Sequence, residues 1–168
     1  GIFAEAGIKV HHLEMEKEPF SFWRGVARLH RILNAYRPHL FQGWMYHANL
    51  MCSLAVQGLS PRPKVIWTVR HSLNELAREK MTTRRAIMLG AKLSTKADRI
   101  VYNSYSSAAQ HRAIGYEGTK EAVIHNGVDC ERFKPCSDAR DWLRNEVLGV
   151  DDGELLVGVV GRFHAMKG

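Results

Sequence analysis

Short apolar runs alternate along the chain with longer stretches whose apolar residues recur every three or four positions, the periods of strands and helices in turn. Ile8-Lys9-Val10-His11-His12-Leu13 predicts a strand or strand end. From residue 20 to 36, Phe22, Val26, Leu29, Leu33 and Tyr36 share one helix face, and Pro38 stops that helix because the residue before a proline is pushed out of the α region. His39-Leu40-Phe41-Gln42-Gly43 predicts a short strand, followed by a helix running through residues 49 to 55. After the loop Pro61-Arg62-Pro63, Lys64-Val65-Ile66-Trp67-Thr68-Val69 is almost wholly apolar, which suits a parallel strand covered by helices on both faces. A long helix is expected over residues 73 to 96, broken near Gly90. Strands are expected over residues 98–103 and 121–125, with a helix over 104–114 between them. A further helix near 138–148 leads to Leu155-Leu156-Val157-Gly158-Val159-Val160, expected as a buried strand that breaks into Gly161-Arg162.

Strand–helix alternation of this kind builds βαβ units with right-handed crossovers, so the expected fold is α/β: a Rossmann-like, doubly wound parallel sheet. Composition narrows the class without changing it. The chain has 168 residues, 45% hydrophobic and 24% charged, the balance of a globular domain. No apolar stretch approaches the roughly 20 residues of a membrane-spanning helix. The opening Gly1-Ile2-Phe3-Ala4-Glu5-Ala6-Gly7 lacks the basic start and long apolar run of a signal peptide, and its start in mid-pattern reads as truncation. Cys52, Cys130 and Cys136 are odd in number and lack C-x-x-C spacing, which argues against a disulfide framework or structural zinc and for a reducing, cytoplasmic setting. The net charge of +7 suits an acidic partner such as phosphate, nucleic acid or an anionic membrane face, but solubility alone would accept it.

Doubly wound sheets place their sites beyond the carboxyl ends of the strands. The segments to watch are therefore Trp44 to His47, Arg70 to Ser72, Asn103 to Ser106, Asn126 to Asp129 and Gly161 to Gly168. The last sets Arg162 and Lys167 in a glycine-bounded loop after an apolar run. That pair suits a diphosphate, because Arg offers a planar fork and Lys a compact point charge. A Walker A loop is excluded, since no glycine precedes Lys167 and no Ser or Thr follows it. A solvated basic loop is the bland alternative.

These landmarks resemble glycosyltransferase family 4. Ala122-Val123-Ile124-His125-Asn126-Gly127-Val128-Asp129, followed by Phe133 and Pro135, is similar to one of that family's segments, and Gly158-Val159-Val160-Gly161-Arg162 through Lys167-Gly168 to another. Tyr36-Arg37-Pro38-His39, Val65-Ile66-Trp67-Thr68 before His71, and Ala97-Asp98-Arg99-Ile100-Val101 before Ser104 complete the series in order. The resemblance implies a two-domain GT-B enzyme, usually retaining, that moves a sugar from a nucleotide-sugar donor to a glycan, lipid-linked or small-molecule acceptor in glycan or cell-envelope polysaccharide synthesis. It implies a piece of such an enzyme: an acceptor-side domain over residues 1–135, a linker helix over 136–152, and the first strand and phosphate loop of a donor domain over 153–168. Such a piece is expected to bind nucleotide-sugar weakly or not at all and to be inactive alone.

By the same resemblance Arg162 and Lys167 hold the donor diphosphate, with Gly161, Asn126 and Gly127 beside it, and His71 positions the donor sugar. Trp44, Tyr46 and His47 stand where the family binds acceptors. Plainer readings accompany each: Arg70-His71-Ser72 as a simple loop start, Asn126-Gly127 as a turn needing positive φ, and Trp44 to His47 as a half-buried helix start. His71 also lies one residue later after its strand than in the commonest family form.

No D-x-D triplet occurs, so metal-dependent GT-A chemistry has no support, no metal or other cofactor is expected, and the absence of H-E-x-x-H points the same way. No nucleic-acid motif accompanies the charge. Arg24, Arg28, Arg31 and Arg37 near Phe22 and Trp23 suggest peripheral contact with an anionic membrane at its inner face, although the charged outer faces of ordinary helices look alike. The rival to an enzyme is a non-catalytic, Rossmann-like nucleotide-binding or regulatory module.

Overall fold

A computed structural model describes residues 2–15, 20–73, 76–151 and 153–161, grouped in two units, 1–126 and 127–168. The sequence pattern sets the first boundary after residue 135.

The first unit opens with a short helix α1 (Ile2–Glu5) and an irregular segment, then α2 (Ser21–Tyr36). The expected stop is present. Arg37 takes a left-handed conformation (φ 46°), its N–H donates to Leu33 O at 2.8 Å, and Pro38 follows. Four parallel strands come next, β1 (Leu40–Trp44), β2 (Lys64–Val69), β3 (Arg99–Tyr102) and β4 (Glu121–Val123), adjacent in that order. The connections carry α3 (Met45–Ala55), α4 (Met81–Leu93) and α5 (Tyr105–Ala113), with single 3₁₀ turns at Leu76–Arg78 and Ser94–Lys96.

Alternation along the strands decides what is covered. Val65, Trp67 and Val69 of β2 and Ile100 and Tyr102 of β3 share one face, and all five are buried. Tyr46, Leu50 and Ala55 of α3, Ala86 and Ile87 of α4, and Ala108 of α5 pack into the same cluster. The Trp67 indole N–H is satisfied by Ser53 Oγ at 3.0 Å. Ile66 and Val101, which point to the other face, are only half-buried, and Leu40 and Trp44 are exposed there.

At the amino edge Asp98 ties β2 to β3. Its carboxylate accepts from the Val65 N–H (2.8 Å) and pairs with Arg62 (3.0 Å) and Lys64 (3.3 Å). Burial pushes that carboxyl up, but the Val65 amide and the two cations outweigh it and hold it below its ordinary range.

Three expectations fail for stated reasons. Residues 8–15 form no strand, because no ladder partner pairs with them, and Ile8 and Val10 stay exposed. The helix expected over 73–96 is not broken at Gly90. It begins at Met81, and Gly90 is a buried close-approach position where a Cβ would collide with the Tyr116 hydroxyl. Leu155 to Val160 is neither buried nor a strand: Val159 is 91% exposed. A strand apolar on both faces needs neighbours on both edges, and the described residues of the second unit supply none. That unit holds a helical turn α6 (Ser137–Asp141) continuing in wider π-type turns over Trp142–Leu148, and Arg144 reaches the carbonyls of Asp151 and Glu154.

Gly43 on β1 lies directly against α3. A Cβ there would lie 2.8 Å from the Asn49 Cα and 2.5 Å from its Oδ1. Because the obstruction includes backbone, Gly43→Ala is expected to destabilise the first unit by about 1–3 kcal/mol. Urea unfolding checks this against Gly158→Ala, whose Cβ meets nothing within 4 Å and which leaves the midpoint unchanged.

Candidate active site at the carboxyl edge of the sheet

Parallel pairing brings the carboxyl ends of all four strands to one edge. β1 passes into α3 without a loop: Trp44 closes the strand and Met45 opens the helix at φ 69°. A left-handed residue with a side chain is uncommon and must be held by its surroundings. Here the Asn49 side-chain amide pairs with the Thr68 backbone, accepting from its N–H at 3.3 Å and donating to its C=O at 3.2 Å. It bonds the backbone of the residue paired with Trp44, the last position of the β1–β2 ladder. The Arg70 N–H approaches Met45 Sδ at 3.4 Å. This geometry leaves Trp44 exposed with the Arg70 guanidinium carbon 5.3 Å from its ring centroid, a cation–π contact, and leaves His47 exposed in the first turn of α3.

His71 follows β2. Its Nε2 lies 2.7 Å from Glu79 Oε1, with 17% and 24% of the two side chains exposed. Among the described residues Nδ1 has no hydrogen-bond partner. The His71 carbonyl accepts from Ser107 Oγ at 2.6 Å, and the Tyr46 ring stands perpendicular to the imidazole with centroids 6.1 Å apart.

Beneath this edge lies a buried polar cluster. His111 on α5 is fully enclosed, its Nδ1 2.7 Å from the Ser107 carbonyl and its Nε2 2.9 Å from the Tyr46 hydroxyl. A carbonyl can only accept, so the ring proton sits on Nδ1 and the Tyr46 hydroxyl donates to Nε2. Tyr102 and Tyr116 close around the same imidazole at 5.3 and 5.0 Å. Burial pushes all three phenols well above their ordinary range and keeps them protonated: Tyr46 donates to His111 and Tyr116 to Ile87 O at 3.1 Å, while the Tyr102 hydroxyl has no partner among the described residues. Asn103 Oδ1, just past β3, is buried without a partner among the described residues; unpaired buried acceptors are rare enough to mark an edge of interest.

The structure thus gathers Trp44, His47 and His71 on one edge and removes Tyr46 from it. Tyr46 is 4% exposed and its hydroxyl is committed to His111, because the helix that starts at Met45 turns that side chain into the core. Asn126 and Gly127 are exposed and fall on either side of the boundary between the units. Gly127 is not in the left-handed region and no turn forms there, so the positive-φ expectation fails. Gly161 is exposed, and Arg162 and Lys167 lie outside the described residues.

Glu79 and His111 are the participants that sequence reasoning missed; Arg70 lay in a segment already marked after β2, but its contact with Trp44 was not foreseen. His111 had a usable signal, a histidine four residues after Ser107 on a short helix with alanines. Glu79 had none, since no helix or strand period relates it to His71. No group of three or more His, Cys, Asp or Glu able to hold a metal ion, and no helix long and apolar enough to cross a membrane, occurs among the described residues.

Comparison with known proteins bears on the family and the fold. Residues 4–132 match Glycosyltransferase Family 4. The chain is 37% identical over 73 residues to D-inositol 3-phosphate glycosyltransferase of Rhodococcus erythropolis, a stretch covering 43% of this chain and 16% of that protein. Among solved structures, Anabaena HepE in complex with UDP superposes with a TM-score of 0.65 at 18% identity over 87% of this chain and 38% of that one. The same protein in complex with UDP-glucose gives a TM-score of 0.60 at 19% identity, again over 87% of this chain and 38% of that one. The chain therefore spans well under half the length of these relatives.

The enclosed His111 ring also makes stability pH-dependent. Burial, reinforced by the nearby His71, lowers its pKa from the ordinary 6.5 against the opposing Ser107 carbonyl. Below about pH 6.5 the unfolded chain gains a proton that the native ring refuses, so stability falls with pH at up to ~1.4 kcal/mol per unit. Urea midpoints are expected to drop between about pH 7.5 and about pH 5, and His111→Gln to flatten that slope while lowering stability at the upper end.

Proposed function

Because the chain belongs to Glycosyltransferase Family 4, we propose that its carboxyl edge forms the acceptor-side part of a sugar-transfer site. The parent protein then moves a glycosyl group from a nucleotide-diphosphate-sugar to an acceptor hydroxyl. The observation that carries this reading is the placement of His71: at the end of the central strand β2, ring half-open, held by Glu79, with the exposed Trp44 and His47 on the neighbouring strand exit. The UDP and UDP-glucose named with the HepE structures support a nucleotide-sugar as donor.

In such a transfer the bond from the sugar's anomeric carbon to the diphosphate breaks, and its electron pair leaves with the phosphate. The acceptor oxygen forms the new bond and gives up its proton to an oxygen of the departing diphosphate. Negative charge grows on the diphosphate, so the largest available catalytic effect is electrostatic stabilisation there. Arg162 and Lys167 are assigned that role, with Gly161, Asn126 and Gly127 near the donor. His71 orients the sugar by hydrogen bonding and is not a nucleophile. Trp44 and His47 face the acceptor, Trp44 offering an apolar ring to a sugar face. The reading includes retention at the anomeric carbon, a glycan, lipid-linked or small-molecule acceptor in polysaccharide assembly, no metal, and a cytoplasmic site of action.

Two outcomes test it. In the full-length enzyme Arg162→Ala or Lys167→Ala is expected to lower turnover by ~100-fold, the scale of losing one oxyanion donor, and His71→Ala to abolish most transfer with folding intact. Steady-state kinetics with UDP-glucose and related donors measures this, and wild-type rates in all three variants would remove the assignment.

Peripheral membrane contact is part of the same reading, because α2 keeps Trp23 and Arg31 exposed along one helix. Vesicles containing phosphatidylserine are expected to carry the chain in flotation and neutral vesicles to leave it behind. Equal recovery from both would sink that part alone.

A further inference from the structure

The Glu79–His71 pair does more than fill a loop. Glu79 is brought to the strand exit by the 3₁₀ turn Leu76–Arg78, with its own N–H bonded to Leu76 O at 3.3 Å. Its Oε1 then meets His71 Nε2 at 2.7 Å, the short distance of a charge-assisted bond. The imidazole is constrained from three directions. Ser107 Oγ holds its backbone carbonyl, the Tyr46 ring stands against its plane, and Glu79 holds one nitrogen. Tyr46 is in turn pinned by the buried His111, so the wall behind the ring is part of the core. Glu79 Oε1 has one protein donor, His71, and His71 Nδ1 has no protein partner among the described residues.

We propose that Glu79 is a positioning residue for His71, fixing the proton on Nε2 and thereby making Nδ1 the nitrogen offered to a ligand hydroxyl. An ionised carboxylate can only accept, so in the neutral ring Nε2 must donate and Nδ1 keeps its lone pair. A nitrogen of that kind accepts a hydrogen bond from a polyol hydroxyl, which deepens the sugar-transfer reading by stating which atom orients the sugar and in which sense. The proposal rests on that reading for the identity of the ligand, but the pair itself can be tested without any ligand.

The experiment is ¹⁵N-edited proton NMR of the ¹⁵N-labelled 168-residue chain at neutral to mildly alkaline pH, with His71→Gln identifying the His71 ring signals and His111→Gln those of the buried imidazole. The expected result is a slowly exchanging ring proton on His71 Nε2, and none on Nδ1. Glu79→Ala is expected to lose that signal to solvent exchange while the dispersion of the rest of the spectrum is kept. Glu79→Gln, which keeps an acceptor oxygen but no charge, is expected to retain the signal at an upfield position. It also gives the deciding comparison should the alanine variant fail to fold. A wild-type proton on Nδ1, an Nε2 signal unaltered by Glu79→Ala, or an unmoved signal in Glu79→Gln would each overturn the proposal. Absence of sugar transfer by the full-length enzyme, with the Nε2 signal behaving as expected, would defeat the functional reading and leave the pair standing.

Discussion

The buried imidazole of His111 is the constraint on which the carboxyl edge depends. A neutral histidine in an apolar interior is tolerable only if both nitrogens are satisfied, one as donor and one as acceptor. The Ser107 carbonyl and the Tyr46 hydroxyl meet that requirement from two different helices. The hydroxyl of the same Ser107 bonds the His71 carbonyl. One ring therefore ties α3, α5 and the exit of β2 into a single polar cluster inside the hydrophobic core, and removing any member strands a buried partner.

A second constraint acts a few residues away. β1 and α3 join with no intervening loop, which brings together a left-handed Met45, a bare backbone at Gly43 and an Asn49 amide bonded to the Thr68 backbone. Together they set the direction of α3, and that direction sends Tyr46 inward to His111 while Trp44 and His47 stay outside. The division between residues that could touch a ligand and residues that hold the wall behind them follows from the geometry of one turn.

Much of the sheet was readable from the amino-acid order. Lys64–Val69 was expected and found without displacement, and β1, β3 and β4 fell within two residues of their expected ends, because a central parallel strand needs an unbroken apolar run and glycine, proline or polar residues bound it. The proline stop after α2 and the serine cap of α5 are likewise local chemistry, the latter with the Ser107 N–H 3.1 Å from Ser104 Oγ. The same reasoning misjudged Ile8 to Leu13 and Leu155 to Val160, whose β-rich composition signals a capacity to pair but not the presence of a partner. It also misread Gly90 as a break, since nothing local distinguishes a glycine that interrupts a helix from one that makes room for Tyr116.

By itself the sequence determined the fold class, the order of the elements and the position of His71 after a buried strand. Those follow from period, punctuation and the rule that parallel strands end together. Only the tertiary structure decided that Tyr46 belongs to the core, that Glu79 holds Nε2, and that His111 underpins both. Hydrogen bonds across 8, 36 and 65 residues of chain depend on distances that no local pattern encodes. They come into existence when burial of Val69, Tyr102 and their neighbours brings separate helices onto one face of the sheet, where pairing a buried polar group avoids a desolvation cost.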